Sequence, residues 1–147
     1  MRTIWLVEDD YHLRQSIREA IKENSINTEI IELPTEYKFR EQLKNILEES
    51  NIPDLVILDV MLPWTIPSKK PLPEPDDVKE KGFYRAGARC EKLFRENQRL
   101  RDVPVIIYTN LKKDDIENDV DWQSEKTYYL GKNGNISELK SNILKLI

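Results

Sequence analysis

The chain has 147 residues, 39% of them hydrophobic and 34% charged, with a net charge of −4. That length supports one domain with one core, no apolar run approaches the ~20 residues of a membrane helix, and an acidic balance without a long basic block argues against a nucleic-acid surface. The single cysteine, Cys90, excludes an internal disulfide and fits a reducing, cytoplasmic setting.

The N-terminus turns acidic too early for a signal peptide. Ile4, Trp5, Leu6 and Val7 predict a short buried strand that runs into Glu8, Asp9 and Asp10. Leu13, Ile17, Ala20 and Ile21 follow at helical spacing, which predicts a helix over 11–23. Residues 24–27 break the pattern, and the isoleucine-rich run 28–33 reads as a second strand. Thr35 is a suitable N-cap for a second helix, whose apolar face carries Phe39, Leu43, Ile46 and Leu47. Pro53 and Asp54 then lead into Leu55, Val56, Ile57 and Leu58, the type of strand buried on both faces of a parallel sheet. Asp59 stands at its C-terminal end.

Five of the eight prolines lie between residues 63 and 75. Each fixes φ and removes an amide donor, so 64–81 is expected to be a long irregular loop, the kind that is functional or disordered. Phe83, Gly87, Cys90 and Phe94 restore helical spacing over 82–98. Residues 105–108 form a fourth strand ending at Thr109, and 127–130 a fifth ending at Gly131 and Lys132. Between them 112–126 is acidic and poor in apolar residues, with Ile116, Val120 and Trp122 as anchors for one short helix. Ile136, Leu139, Ile143, Leu146 and Ile147 mark a closing helix. Five strand–helix units predict an α/β fold with a parallel sheet and helices on both faces. The whole chain, 1–147, reads as a single domain with no room for an attached output domain.

Two strand ends deliver acids and two deliver polar partners to one edge: Glu8, Asp9 and Asp10; Asp59; Thr109; Lys132. Singly, each has an ordinary explanation. Aspartate caps helices and makes turns, threonine suits strands, and lysine is mostly surface. Together they raise an electrostatic problem, because converging carboxylates repel unless a cation joins them. An oxygen-only donor set suits Mg²⁺. Beside such an ion Asp59 could accept a phosphoryl group as an aspartyl phosphate, with Thr109 and Lys132 binding its oxygens.

The segments Ile4-Trp5-Leu6-Val7-Glu8-Asp9-Asp10, Leu58-Asp59-Val60-Met61-Leu62-Pro63, Pro104-Val105-Ile106-Ile107-Tyr108-Thr109 and Tyr129-Leu130-Gly131-Lys132 resemble, in order and spacing, the receiver domain of bacterial two-component response regulators. The resemblance implies a flavodoxin-like five-stranded parallel sheet in the order 2-1-3-4-5. It makes Asp59 the phosphoacceptor, Thr109 the switch hydroxyl, Lys132 the phosphate-pairing lysine and Tyr129 the switch aromatic. Mg²⁺ would be held by Glu8, Asp9, Asp59 and the backbone carbonyl of Met61. A histidine kinase or phosphotransfer protein would donate the phosphoryl group, an unidentified downstream protein would read it, and a homodimer would use the strand-four to helix-five face. The only chemistry implied is Mg²⁺-dependent phosphorylation and dephosphorylation of the protein itself.

Four features depart from that family. Asn133 follows the lysine in place of the usual proline, and Asn110 follows the switch hydroxyl in place of a small residue. The loop after the third strand is much longer than usual, and the fourth helix is weak. Asn133, Asn110 and the long loop favour a second reading, a phosphorylation-independent binding module with the same fold. A third reading, a Mg²⁺-dependent phosphohydrolase, lacks the second acid two residues after the nucleophile, where Met61 stands. Trp64 is a candidate anchor for a lid or docking surface in 64–81. His12 and Cys90 have no sequence partners and read as structural, and Trp5 and Trp122 read as packing residues.

Overall fold

Strand alternation fixes the layers of this molecule. In a computed structural model, residues 1–24, 27–49, 51–66, 72–120, 126–133 and 135–147 are described, without the side chains of 47–49. The strands are β1 (Arg2–Val7), β2 (Thr28–Leu33), β3 (Leu55–Leu58), β4 (Val105–Thr109) and β5 (Thr127–Gly131). They form one parallel sheet in the order β2-β1-β3-β4-β5. Successive side chains point to opposite faces. Trp5, Val7, Val56, Leu58, Val105 and Ile107 therefore line one face, and Ile4, Leu6, Leu55, Ile57, Ile106 and Tyr108 the other.

Helices α1 (Tyr11–Lys22), α2 (Glu36–Glu49), α3 (Asp76–Lys81), α4 (Ala86–Glu96) and α5 (Ser137–Leu146) complete the fold. Phe39 and Ile46 of α2 and Ala88, Cys90 and Phe94 of α4 cover the first face. Ile17 and Ile21 of α1 and Leu139 and Ile143 of α5 cover the second. Trp5 is fully buried edge-on to Phe39 and Phe94, at 5.8 and 5.9 Å between ring centroids. Cys90 is equally buried. Thr35 accepts a hydrogen bond from the Lys38 amide at 3.1 Å, the N-cap contact expected for α2. His12 is exposed, its ring 5.7 Å from that of Tyr11.

Three expectations change. Residues 64–81 are not irregular throughout, because α3 occupies the last six. The prolines that forbid a helix stop at Pro75, which stands just before α3; Asp76 and Asp77 in the first turn and Lys79 and Lys81 in the last then suit the helix dipole. Pro67 and Pro71 lie outside the described residues. The helix expected over 82–98 is α4 flanked by 3₁₀ turns at Phe83–Arg85 and Gln98–Leu100. The short helix expected within 112–126 is a 3₁₀ turn, Lys113–Ile116. Ile116 and Val120 are buried as anchors; Trp122, like 25 and 26 in the break after α1, is outside the described residues.

The described ends of the Pro-rich segment are fastened to α2. The carbonyls of Pro63 and Trp64 accept from the Glu36 and Tyr37 amides, each at 2.9 Å, and so satisfy donors at the start of α2. Glu36, fully buried, takes a forked pair from Arg89 and a third bond from Arg40, which also holds Asp77 of α3 at 2.7 Å. Trp64 lies under Arg40 and edge-on to Tyr37. Trp64, the candidate anchor of this segment, thus packs on the protein's own α2.

Candidate functional site

The sheet order sets β1 and β3 side by side, so the residues after both strands emerge together. The Glu8 amide donates to the Leu33 carbonyl and the Asp59 amide to the Val7 carbonyl, which carries the sheet pattern one residue past the strands. Asp59 Oδ1 accepts from the Met61 amide at 3.3 Å, a turn that aims the carboxylate back over the sheet edge. Beyond β5, the Lys132 amide donates to the Thr109 carbonyl at 2.8 Å. This bond carries the lysine side chain toward the acids.

Four of the seven residues singled out from the sequence meet through their side chains. Lys132 Nζ donates to Glu8 Oε1 at 2.5 Å and to Asp59 Oδ2 at 2.7 Å. Glu8 is 3% exposed and Asp59 6%, whereas Asp9 faces solvent. Each of Glu8, Asp9 and Asp59 offers an oxygen within 4.8 Å of the other two. Burial first, and then the Asp59 charge, push the Glu8 carboxyl up to about 7, although Lys132 pulls the other way. Burial alone would lower the Lys132 pKa, but the Asp59 charge and the bonds to Asp59 and Glu8 outweigh it and leave it raised. The repulsion anticipated from sequence is therefore present, and an ammonium group partly relieves it. Met61 is half-buried beside them.

The hard oxygen donors and the excess of negative charge suit a divalent cation. Glu8, Asp9 and Asp59 are the side chains that would hold one. Lys132 already bonds two of these acids, so a metal must share the pocket with it or displace it from one of them.

No family model matches the sequence, and neither does any curated protein. Solved structures do match. The Mn²⁺-bound form of response regulator Rcp1 is 23% identical, with a TM-score of 0.69 over 99% of this chain and 91% of that one. Response regulator TrrA from Thermotoga maritima, solved with Mg²⁺ and BeF, is 22% identical with a TM-score of 0.66 over the full length of both chains. A signal receiver domain from Clostridium thermocellum is 19% identical with a TM-score of 0.72 over 99% and 96%. The fold is that of a response-regulator receiver.

Within this receiver fold, the two residues assigned to a switch meet on one residue rather than on Asp59. Thr109, fully buried, accepts from the Leu111 amide at 3.3 Å. The Tyr129 hydroxyl donates to the Leu111 carbonyl at 2.7 Å, with the ring half-buried against the core. Asn110 is exposed. No peptide bond among the described residues is cis, so Asn133 follows Lys132 in trans, and the lysine still reaches both acids.

Sequence reasoning missed Gly87. Its amide donates to the Val60 carbonyl at 2.9 Å, and a Cβ there would lie 2.2 Å from the Asp59 carbonyl oxygen and 2.5 Å from Val60 Cα. Backbone packs on backbone here, and neither can yield cheaply. The available signal was the run Ala86-Gly87-Ala88, small residues where α4 begins. Gly87→Ala is expected to cost about 2 kcal/mol through overpacking, or roughly 8 °C in Tm. A thermal melt checks this; an unchanged Tm would contradict the close approach.

Proposed function

We propose that this receiver is the phosphoacceptor of a two-component phosphorelay, with Asp59 as the residue that takes the phosphoryl group. The observation that carries this reading is the meeting of Asp59 with Glu8, Asp9 and Lys132 at the end of β3. An Asp59 oxygen attacks phosphorus on a partner's phosphohistidine, the P–O bond forms as the P–N bond breaks, and the imidazole leaves. Mg²⁺, when bound, neutralises charge on the phosphoryl oxygens. Lys132 moves from the Asp59 carboxylate to a phosphoryl oxygen and keeps its charge in the pocket. The Thr109 hydroxyl leaves the Leu111 amide for the same group, which loosens the Leu111 contact that holds Tyr129. A downstream protein then reads the changed surface.

The donor is a histidine kinase or phosphotransfer protein, and the setting is cytosolic; among the described residues no helix is long and apolar enough to cross a membrane. The competing binding-module reading draws on Asn133, but that residue leaves Lys132 in place. The test is intact mass after incubation with acetyl phosphate. A phosphoryl gain that a Mg²⁺ chelator abolishes supports the reading; no gain in excess Mg²⁺ overturns it.

The raised Glu8 carboxyl also sets a pH dependence. Its proton is held to about 7 in the fold against an ordinary value of 4.5. The Glu8 contribution to stability therefore falls as pH rises from 4.5 to 7, because the folded form binds the extra proton there. Mg²⁺ needs the ionised form, so it competes with that proton below pH 7 and binds roughly 10-fold more weakly at pH 6 than at pH 8. Thermal melts across a Mg²⁺ titration at the two pH values read this; equal midpoints would contradict it.

A further inference from the structure

Both ends of the acidic turn are tied to one residue of α1. The Arg14 amide donates to the Asp10 carbonyl at 3.0 Å, and its Nη1 donates to the Glu8 carbonyl at 2.8 Å. The side chain is 13% exposed, with Nε 3.4 Å from Glu32 of β2 and the guanidinium 5.7 Å from the Tyr11 ring centroid. Asp10 Oδ1 accepts from the His12 and Leu13 amides. The main chain carrying Glu8 and Asp9 is thereby bracketed: β2 holds the Glu8 amide, Arg14 the Glu8 carbonyl, and α1 the residue after Asp9.

We propose that Arg14 is a positioning residue for the metal site, acting through the Glu8 main chain to keep the Glu8 and Asp9 carboxylates convergent. This rests on the phosphoacceptor reading above. The role is geometric. The guanidinium pairs with Glu32, whereas the charge balance at Glu8 is set by burial, Asp59, Lys132 and the Asp10 amide, which donates to Glu8 Oε2 at 3.1 Å. Without the side-chain bond, the Glu8 carbonyl at the end of β1 loses a charge-assisted partner. The turn between β1 and α1 then samples arrangements in which Asp9, held by no strand, drifts from Asp59. Outer contacts of this kind typically change metal affinity by 10–100-fold.

The test is the Mg²⁺ midpoint of the thermal stabilisation curve, measured with Mg²⁺ alone, alongside the phosphoryl yield at saturating Mg²⁺. Arg14→Met is expected to raise the midpoint about 10-fold with little change in the plateau yield, and Arg14→Lys about 3-fold. Glu32→Gln, which removes the ion pair but not the bond to Glu8, is expected to leave the midpoint at the wild-type value. A merely structural role would lower Tm without moving the midpoint. An unmoved midpoint in Arg14→Met, or an equal shift in Glu32→Gln, overturns the proposal. Should Arg14→Met fail to fold, Arg14→Lys decides: a midpoint above that of Glu32→Gln supports the proposal, and an equal one overturns it. If the wild type itself shows no Mg²⁺ response, the metal reading fails and this inference falls with it. A wild-type response with an unmoved variant sinks the inference alone.

Discussion

Asp59→Asn takes up no phosphoryl group from acetyl phosphate at any Mg²⁺ concentration, read as the complete absence of the mass gain expected of the wild type. Asparagine keeps the shape of the carboxylate and can still accept from the Met61 amide. An amide is not a phosphoryl nucleophile, however, and it offers no charge to Lys132 or to a metal. The same substitution removes the like charge that helps push the Glu8 carboxyl up to about 7. Glu8 is therefore expected to titrate lower in the variant, which a carboxyl-resolved NMR titration reads. A phosphoryl gain that survives the substitution would place the acceptor elsewhere.

Lys132→Ala produces the second large effect, in two observables. The lysine joins Glu8 and Asp59 with two short bonds at a site where its side chain is only 12% exposed. Deleting one partner of a buried ion pair leaves uncompensated charge and costs about 3 kcal/mol. The loss should be full above pH 7, where Glu8 is ionised, and smaller near pH 5, where Glu8 carries its proton. Phosphoryl transfer should also slow, by on the order of 100-fold, because a preorganised cation facing the developing charge is gone. Denaturant unfolding at the two pH values and the initial rate of mass gain measure these separately. Equal stability loss at both pH values would contradict the electrostatic account. An unchanged rate would remove Lys132 from the reaction.

The fold was legible because its strands are short and saturated with apolar side chains. Leu55 to Leu58 and Val105 to Ile107 are buried on both faces, which leaves little choice but a parallel sheet between helix layers. The acids of the site could be read for a related reason: each follows such a strand directly, so sheet order alone brings Glu8 beside Asp59. The middle of the chain was less legible. Proline density hid α3, whose six residues carry one buried apolar side chain, Val78, and no periodic stripe. Its attachment runs through Arg40 and Asp77, and that of α4 through Arg89 and Glu36, ion pairs between elements far apart in sequence. No local pattern announces a pair of that kind.

The remaining gaps are close approaches and main-chain bonds. Gly87 reads in sequence as an ordinary residue at helical spacing, and only its distance to the Asp59 carbonyl explains why no side chain fits. Arg14 looks like a solvated helix residue until its bond to the Glu8 carbonyl is seen. Leu111, which receives both Thr109 and Tyr129, acts through its backbone, and its side chain carries no trace of that role.

The central claim is that Asp59 itself becomes the acyl phosphate. Borohydride reduces an aspartyl phosphate to homoserine and leaves free carboxylates untouched. The decisive measurement is therefore peptide mass mapping after incubation with acetyl phosphate and Mg²⁺, followed by borohydride. Homoserine at position 59 and nowhere else is the predicted result. Homoserine at Glu8, Asp9 or Asp10 is excluded by this account, and its appearance at any of them, or unreduced aspartate at 59 in protein that has gained a phosphoryl group, would contradict it.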